Sequence, residues 1–168
     1  MKYIVIDEDG QLRQLSAPRY DVAVRDLGPE GWDQVRLGRP DLRGFINDSG
    51  MVLPEKYSRN VVGSVLLASL GANIYPYCGP VIITGWDDTS GDDVEIVGLD
   101  ERQLMQLRTV HGDIQTVLSG EELAHVRAPA TWQAAVREIA EAVQTEPLPT
   151  PTVLTGDEAL AYLRRGRR

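Results

Sequence analysis

Residues 44–86 read GFINDSGMVLPEKYSRNVVGSVLLASLGANIYPYCGPVIITGW. They combine the most apolar sequence in the chain with its clearest alternation of element types, and their reading decides the fold. Phe45 lies in a short strand that ends at the turn Asn47-Asp48-Ser49-Gly50, with Met51 or Val52 on the far side. Gly50 is free to take positive φ in that turn. Leu53-Pro54 leads the chain out of the sheet. A helix follows from about Arg59 to Leu70, with Ser58 or Asn60 suited to cap it, because a short polar side chain accepts from the free N–H groups of a first turn. Val62, Val65, Leu66, Ser69 and Leu70 form one helical stripe. Val61 and Leu67 widen it, so burial on more than one side is expected, and Gly71 stands where a left-handed C-terminal residue belongs. The run Tyr75-Pro76-Tyr77-Cys78-Gly79-Pro80 is an irregular connection. Val81-Ile82-Ile83-Thr84 is a continuous β-branched run, the mark of a strand covered on both faces.

Upstream, Tyr3 to Asp7 and Leu12 to Leu15 read as a hairpin about Glu8-Asp9-Gly10. Tyr20 to Leu27 fits either a strand, by the alternation of Val22 and Val24, or the start of a helix. Pro29 to Leu37 reads as a short helix, with Pro at its first position, Trp32 and Val35 on one side, and Gly38 and Pro40 closing it. Downstream, Asp87 to Asp93 is an acidic loop and Val94 to Val97 a partner strand. Asp100-Glu101-Arg102-Gln103 is a capping box flanked by a hydrophobic staple of Leu99 and Leu104. Leu104, Leu107, Val110, Ile114 and Val117 continue that helix, with Gly112 as a weak point. Ser119 to Pro129 is a connector with a single helical turn over Glu121 to Ala124. Trp132, Ala135, Val136, Ile139, Ala140 and Val143 define an amphipathic helix.

The expected architecture is α+β. A mainly antiparallel sheet of five or six strands packs on a central helix, with a helical C-terminal third. Residues 1–144 make a single domain, 145–154 a Pro-rich linker, and 155–168 a short helix with an Arg-rich end.

Bulk properties agree with one globular domain. The chain has 168 residues, 42% of them hydrophobic and 25% charged, enough to bury a core without a disulfide or metal staple. A net charge of −8 argues against general attraction to a phosphate backbone, so nucleic acid is not an expected partner. The single cysteine, Cys78, fits a reducing compartment. The N-terminus enters a strand pattern directly and lacks a signal-peptide layout, and no apolar run reaches the ~18 residues of a membrane span. The expected location is the bacterial cytoplasm. Fifteen of the 17 basic residues are Arg.

No motif brings catalytic or metal-binding chemistry together. The loop Asp87-Asp88-Thr89-Ser90-Gly91-Asp92-Asp93 lacks the ligand spacing of an EF-hand and reads as a solvated hairpin tip. His111 and His125 form no metal-binding pair, Cys78 has no local activator, and no phosphate-cradling Gly-rich loop is present. No cofactor is expected. The aromatic residues flanking the central strand, Tyr75, Tyr77 and Trp86, together with Asp87 and Asp88, are the candidate partner-binding residues, because aromatic anchors dominate interface energies. The four arginines at the C-terminus read as a charged helix end.

The order Asn47-Asp48-Ser49-Gly50, Leu53-Pro54, Asn60, Gly79, Val81-Ile82-Ile83 and Gly85 resembles the domain-of-unknown-function family 3846, small proteins found largely in bacteriophages and other mobile elements. The resemblance covers about 45 residues of the 168. It implies a phage or plasmid origin and brings no catalytic residues. The resulting expectation is a non-enzymatic accessory factor that binds a host or phage protein. The alternatives are an acidic nucleic-acid mimic that blocks a DNA-binding protein, and a small enzyme using His111, Asp113 or Cys78.

Overall fold

The computed structural model describes residues 1–87, 95–124 and 128–148. The expected C-terminal helix and Arg-rich end, residues 155–168, lie outside the described residues, as do Asp88 and His125. Six strands form one antiparallel sheet: β1 (Lys2–Ile6), β2 (Leu12–Ser16), β3 (Trp32–Arg36), β4 (Leu42–Asn47), β5 (Val81–Asp87) and β6 (Glu95–Val97). The order is β2-β1-β5-β4-β3, and β6 pairs with the far end of β5. Three longer helices, α2 (Val61–Ser69), α3 (Glu101–Leu118) and α4 (Ala130–Thr145), cover one face. A single turn, α1 (Tyr20–Ala23), followed by a 3₁₀ turn over Val24–Leu27, covers part of the other. This is the expected α+β class. Among the described residues, no helix is long and apolar enough to cross a membrane.

The β-branched run became the centre of the sheet. Val81, Ile82 and Ile83 are all fully buried; Val81 and Ile83 join the helical core, while Ile82 packs with Tyr3, Val5 and Phe45 on the opposite face. Side chains alternate across a strand, so only a strand buried on both sides tolerates such a run. Helix α2 lies close on the sheet because β4 carries Gly44 beneath it. A Cβ at Gly44 would stand 2.9 Å from Leu67 Cδ2.

Local cap chemistry set the helix ends. Asn60 accepts from the Gly63 N–H at 2.8 Å and starts α2. Gly71 takes φ 93° just beyond it. The Asp100–Gln103 capping box is formed in both directions, with Leu99 and Leu104 buried beside it. Gly112 does not break α3, which runs 18 residues.

Several expectations are corrected. Pro29 to Leu37 is not a helix: Gly28 and Gly31 take φ of 123° and 134°, and Trp32–Arg36 pairs antiparallel with β4. The spacing of Trp32 and Val35 suits a helix face, but in the strand it sends them to opposite faces. Trp32 packs edge-on against Phe45 at 5.5 Å, and Val35 enters the helical core. Pairing with β4 outweighed the local helix signal. Gly50 does not take positive φ; what requires glycine there is close approach, since a Cβ would stand 2.4 Å from the Cys78 carbonyl oxygen. Residues 121–124 are irregular rather than helical, and Gln133 satisfies the backbone of Leu123 in both directions, at 3.2 and 3.0 Å.

Candidate functional site

Among the described residues, the sheet's second face is covered over only part of its area. Ala23, Val24 and Leu27 pack on Tyr3, Val5, Ile82 and Phe45. Beyond that cover, β3, β4, β5 and β6 present Trp32, Gln34, Arg36, Arg43, Trp86 and Ile96, with no helix of the described residues above them. The register makes this arrangement: Arg36 lies opposite Arg43, Gln34 opposite Phe45, and Trp86 opposite Ile96. The Arg43 guanidinium stacks over the Trp86 ring at 3.8 Å. Trp32 is 36% exposed and Tyr20 42% exposed, and their rings meet edge-to-face at 6.3 Å.

Two concavities meet at Trp86. One, of about 600 Å³, runs from Tyr20, Trp32 and Gln34 to Trp86 and Ile96. The other, of about 280 Å³, is lined by Arg36, Arg39, Arg43, the backbone at Gly38 and Trp86. A hollow of about 620 Å³ lies along the outer side of α3. It is lined by one helix alone, so no second element converges polar groups on a ligand there.

The basic concavity is built with some rigidity. Arg39 grips Asp41 with two parallel bonds, at 2.8 and 2.7 Å. Gln103, the capping-box residue of α3, donates to the same Asp41 carboxylate at 3.1 Å. The Arg39 guanidinium, with help from Gln103, holds the Asp41 carboxyl down at about 2. Asp41 also accepts the Trp86 N–H through its backbone oxygen at 3.0 Å. Trp86, Asp41, Arg39 and the start of α3 therefore form one connected unit. Arg36 is exposed and makes no ion pair with any described residue. A planar, charged guanidinium beside an indole suits a carboxylate or a π surface.

The sequence-derived candidates do not form one patch. Trp86 belongs to the open face and Asp87 follows it, half-buried. Tyr75 and Tyr77 sit on the helical side of the sheet, 5.7 Å apart between ring centres, in a groove beside the free edge of β3. Tyr77 is a core residue at 8% exposure, whereas Tyr75 is 44% exposed. Trp32, Arg36, Arg39 and Arg43 were missed. The helical spacing of residues 29–37 conceals Trp32 and Arg36, Arg39 and Arg43 carry no local signal, and only the strand pairing brings the four to Trp86.

The residues considered for catalysis are dispersed into structural roles. His111 is buried on α3 with Nε2 2.8 Å from the Gly10 carbonyl oxygen. Asp113 is buried two positions on. Cys78 is buried, and burial pushes its thiol above the ordinary value, which disfavours the nucleophilic thiolate. Among the described residues, no group of three His, Cys, Asp or Glu side chains stands ready to hold a metal ion. In comparison with known proteins, no family model matches the chain, and no curated protein or solved structure matches it.

Proposed function

We propose that this protein is a non-enzymatic binding module that docks an acidic segment of another protein on the open face of its sheet. The observation that carries this reading is the Arg43–Trp86 stack, held at 3.8 Å between two concavities of about 600 and 280 Å³. Trp, Tyr and Arg are the residue types that anchor protein interfaces most strongly, and here Tyr20, Trp32, Trp86, Arg36 and Arg43 share one surface. Arg36, exposed and without an ion pair to any described residue, adds an open guanidinium beside the Arg43–Trp86 stack, so complementarity selects a partner that offers carboxylates. The resemblance to a phage and mobile-element family supports a host or phage protein as that partner, met in the bacterial cytoplasm.

The test is affinity capture from the host with identification of what is retained, followed by calorimetric titration with the purified partner. Trp86→Ala and Arg43→Ala should each weaken binding by at least about tenfold, the size of an interface hot spot, while circular dichroism stays unchanged. Binding should also fall as salt rises. Tyr75→Ala, on the other side of the sheet, should leave the titration unaltered. Full affinity in Trp86→Ala would refute the assignment of this face.

A further inference from the structure

Among the described residues the strand β3 is an edge of the sheet, and its outer side has a definite chemical pattern. The Trp86 N–H donates to the Asp41 carbonyl oxygen at 3.0 Å, one step beyond the Leu42–Gly85 pair of the β4–β5 ladder. Backbone groups in an antiparallel pair point alternately toward and away from the partner. Arg43 and Phe45 therefore direct their backbone groups to β5, and Leu42, Gly44 and Ile46 direct theirs to β3. Through the β3–β4 register, Asp33 opposite Ile46 and Val35 opposite Gly44 are the residues bonded inward. Trp32, Gln34 and Arg36 direct their N–H and C=O groups outward. A second observation agrees: the Gln34 N–H is taken by the neighbouring Asp33 carboxylate at 2.7 Å, which requires it to point away from β4.

We propose that this edge pairs antiparallel with the same edge of a second copy of the chain, joining two sheets into one. A two-fold axis perpendicular to the sheet keeps side chains on their own face, so residues of the same parity must oppose one another. Centring the axis on Gln34 places Gln34 opposite Gln34 of the second copy and Trp32 opposite its Arg36, twice by symmetry. All three outward residues of each copy then complete their backbone bonds. The side-chain pairing is complementary, because directly opposed cross-strand residues are within contact reach and an Arg guanidinium is attracted to an indole face. Below the new strand, the groove lined by Asp33, Val35, Ile46 and Tyr75 offers about 360 Å³, and Tyr75 in it is 44% exposed.

The other edge is unlike this one. On β2 the side chain of Gln14 is held by Arg108 of α3, and the same symmetric pairing about Gln14 would oppose Leu12 with Ser16. Asp33 opposes the β3 contact: it occupies the Gln34 N–H in the single copy and must release it on pairing. This inference does not rest on the acidic-partner reading, since it follows from the outward backbone groups of β3, although the side chains of Trp32 and Arg36 border both contacts.

Sedimentation velocity of the full chain from ~1 µM to ~1 mM covers the range expected of a small interface. The wild type should pass from monomer to dimer within that range. Gln34→Pro removes one outward N–H, and proline is tolerated at such an edge position. It should remain monomeric with unchanged circular dichroism. Asp33→Ala frees the N–H in both copies and should tighten the dimer by roughly thirtyfold, the worth of the two hydrogen bonds otherwise given up. If Gln34→Pro does not fold, Arg36→Glu at an exposed position serves in its place and should also be monomeric. A wild type that stays monomeric throughout would overturn the proposal. So would a dimer that both Gln34→Pro and Arg36→Glu leave intact, which would place the contact elsewhere. Loss of a different protein's binding in Gln34→Pro, with the wild type monomeric, would reassign the edge to that protein.

Discussion

Replacing Asn60 tests the physical account of how α2 is joined to the sheet. Its side chain is fully buried and makes three bonds: it accepts from the Gly63 N–H at 2.8 Å, and donates to the Ile6 carbonyl at 2.9 Å and the Gly79 carbonyl at 3.0 Å. One amide thus caps α2, ties it to the end of β1, and holds the turn that enters β5. Asn60→Ala loses the cap, about 0.5–2 kcal/mol, leaves the buried Gly79 carbonyl without that bond at about 1–3 kcal/mol, and takes a second bond, about 0.5–1.5 kcal/mol, from the Ile6 carbonyl, which keeps its ladder pairing with β5. Water entering the vacated space relieves part of this, leaving a loss of about 2–5 kcal/mol, against a total of about 5–15 kcal/mol for a domain. In urea, with a slope near 2 kcal/mol/M, the midpoint should fall by about 1–2 M. Asn60→Ser keeps an acceptor for the cap and should lose less. Asn60→Asp keeps the same acceptor but sets a carboxylate against two carbonyls, and should lose at least as much as alanine. A loss below ~1 kcal/mol for alanine, or an aspartate variant as stable as the wild type, would refute the reasoning.

Other outcomes follow from the same structure. Gly112→Ala should raise stability by up to ~1 kcal/mol in thermal melts, because the position is helical and a Cβ there meets nothing within 4 Å. Gly10→Ala should destabilise by about 2–4 kcal/mol in urea titration, since Gly10 has φ 79° and an added Cβ would stand 2.6 Å from Val62 Cγ2. Acid should weaken the fold through two carboxylates. Lys56 and Tyr57 hold Glu30 down at about 2 from an ordinary 4.5, and Arg39 and Gln103 hold Asp41 at about 2 from 3.8. A depressed carboxyl stabilises the folded state above its unfolded value, so that contribution is present above about pH 4.5 and lost as pH falls toward 2. Urea midpoints measured across this window should fall with pH, and Asp41→Asn should flatten part of the slope.

Much of the fold was legible from local chemistry. The capping box at Asp100 and Gln103, the cap at Asn60 and the glycine at position 71 each specify a helix end through bonds within a few residues. The run Val81 to Ile83 announced a strand buried on both faces because no surface would tolerate it. The stripe from Trp132 to Val143 needed only helical spacing to be read. Sequence by itself therefore determined the class, the main helices, the central strand and the location of Trp86 at that strand's end.

What only the tertiary structure decided was which residues share a surface. Residues 32–36 carry the spacing of a helix face, yet β4 captured them as an edge strand, because strand pairing depends on a partner distant in sequence. That one change sends Trp32 and Arg36 to the face of Trp86 and Val35 to the core. Strand alternation then parts Trp86 from Tyr75 and Tyr77, which the connection after α2 carries to the opposite side of the sheet. The basic concavity gathers Arg36, Arg39 and Arg43 against Trp86 across more than forty intervening positions. Periodicity reports a side chain's direction only relative to its own element. Whether two such directions converge is settled by register and packing order, which no local stretch of sequence contains.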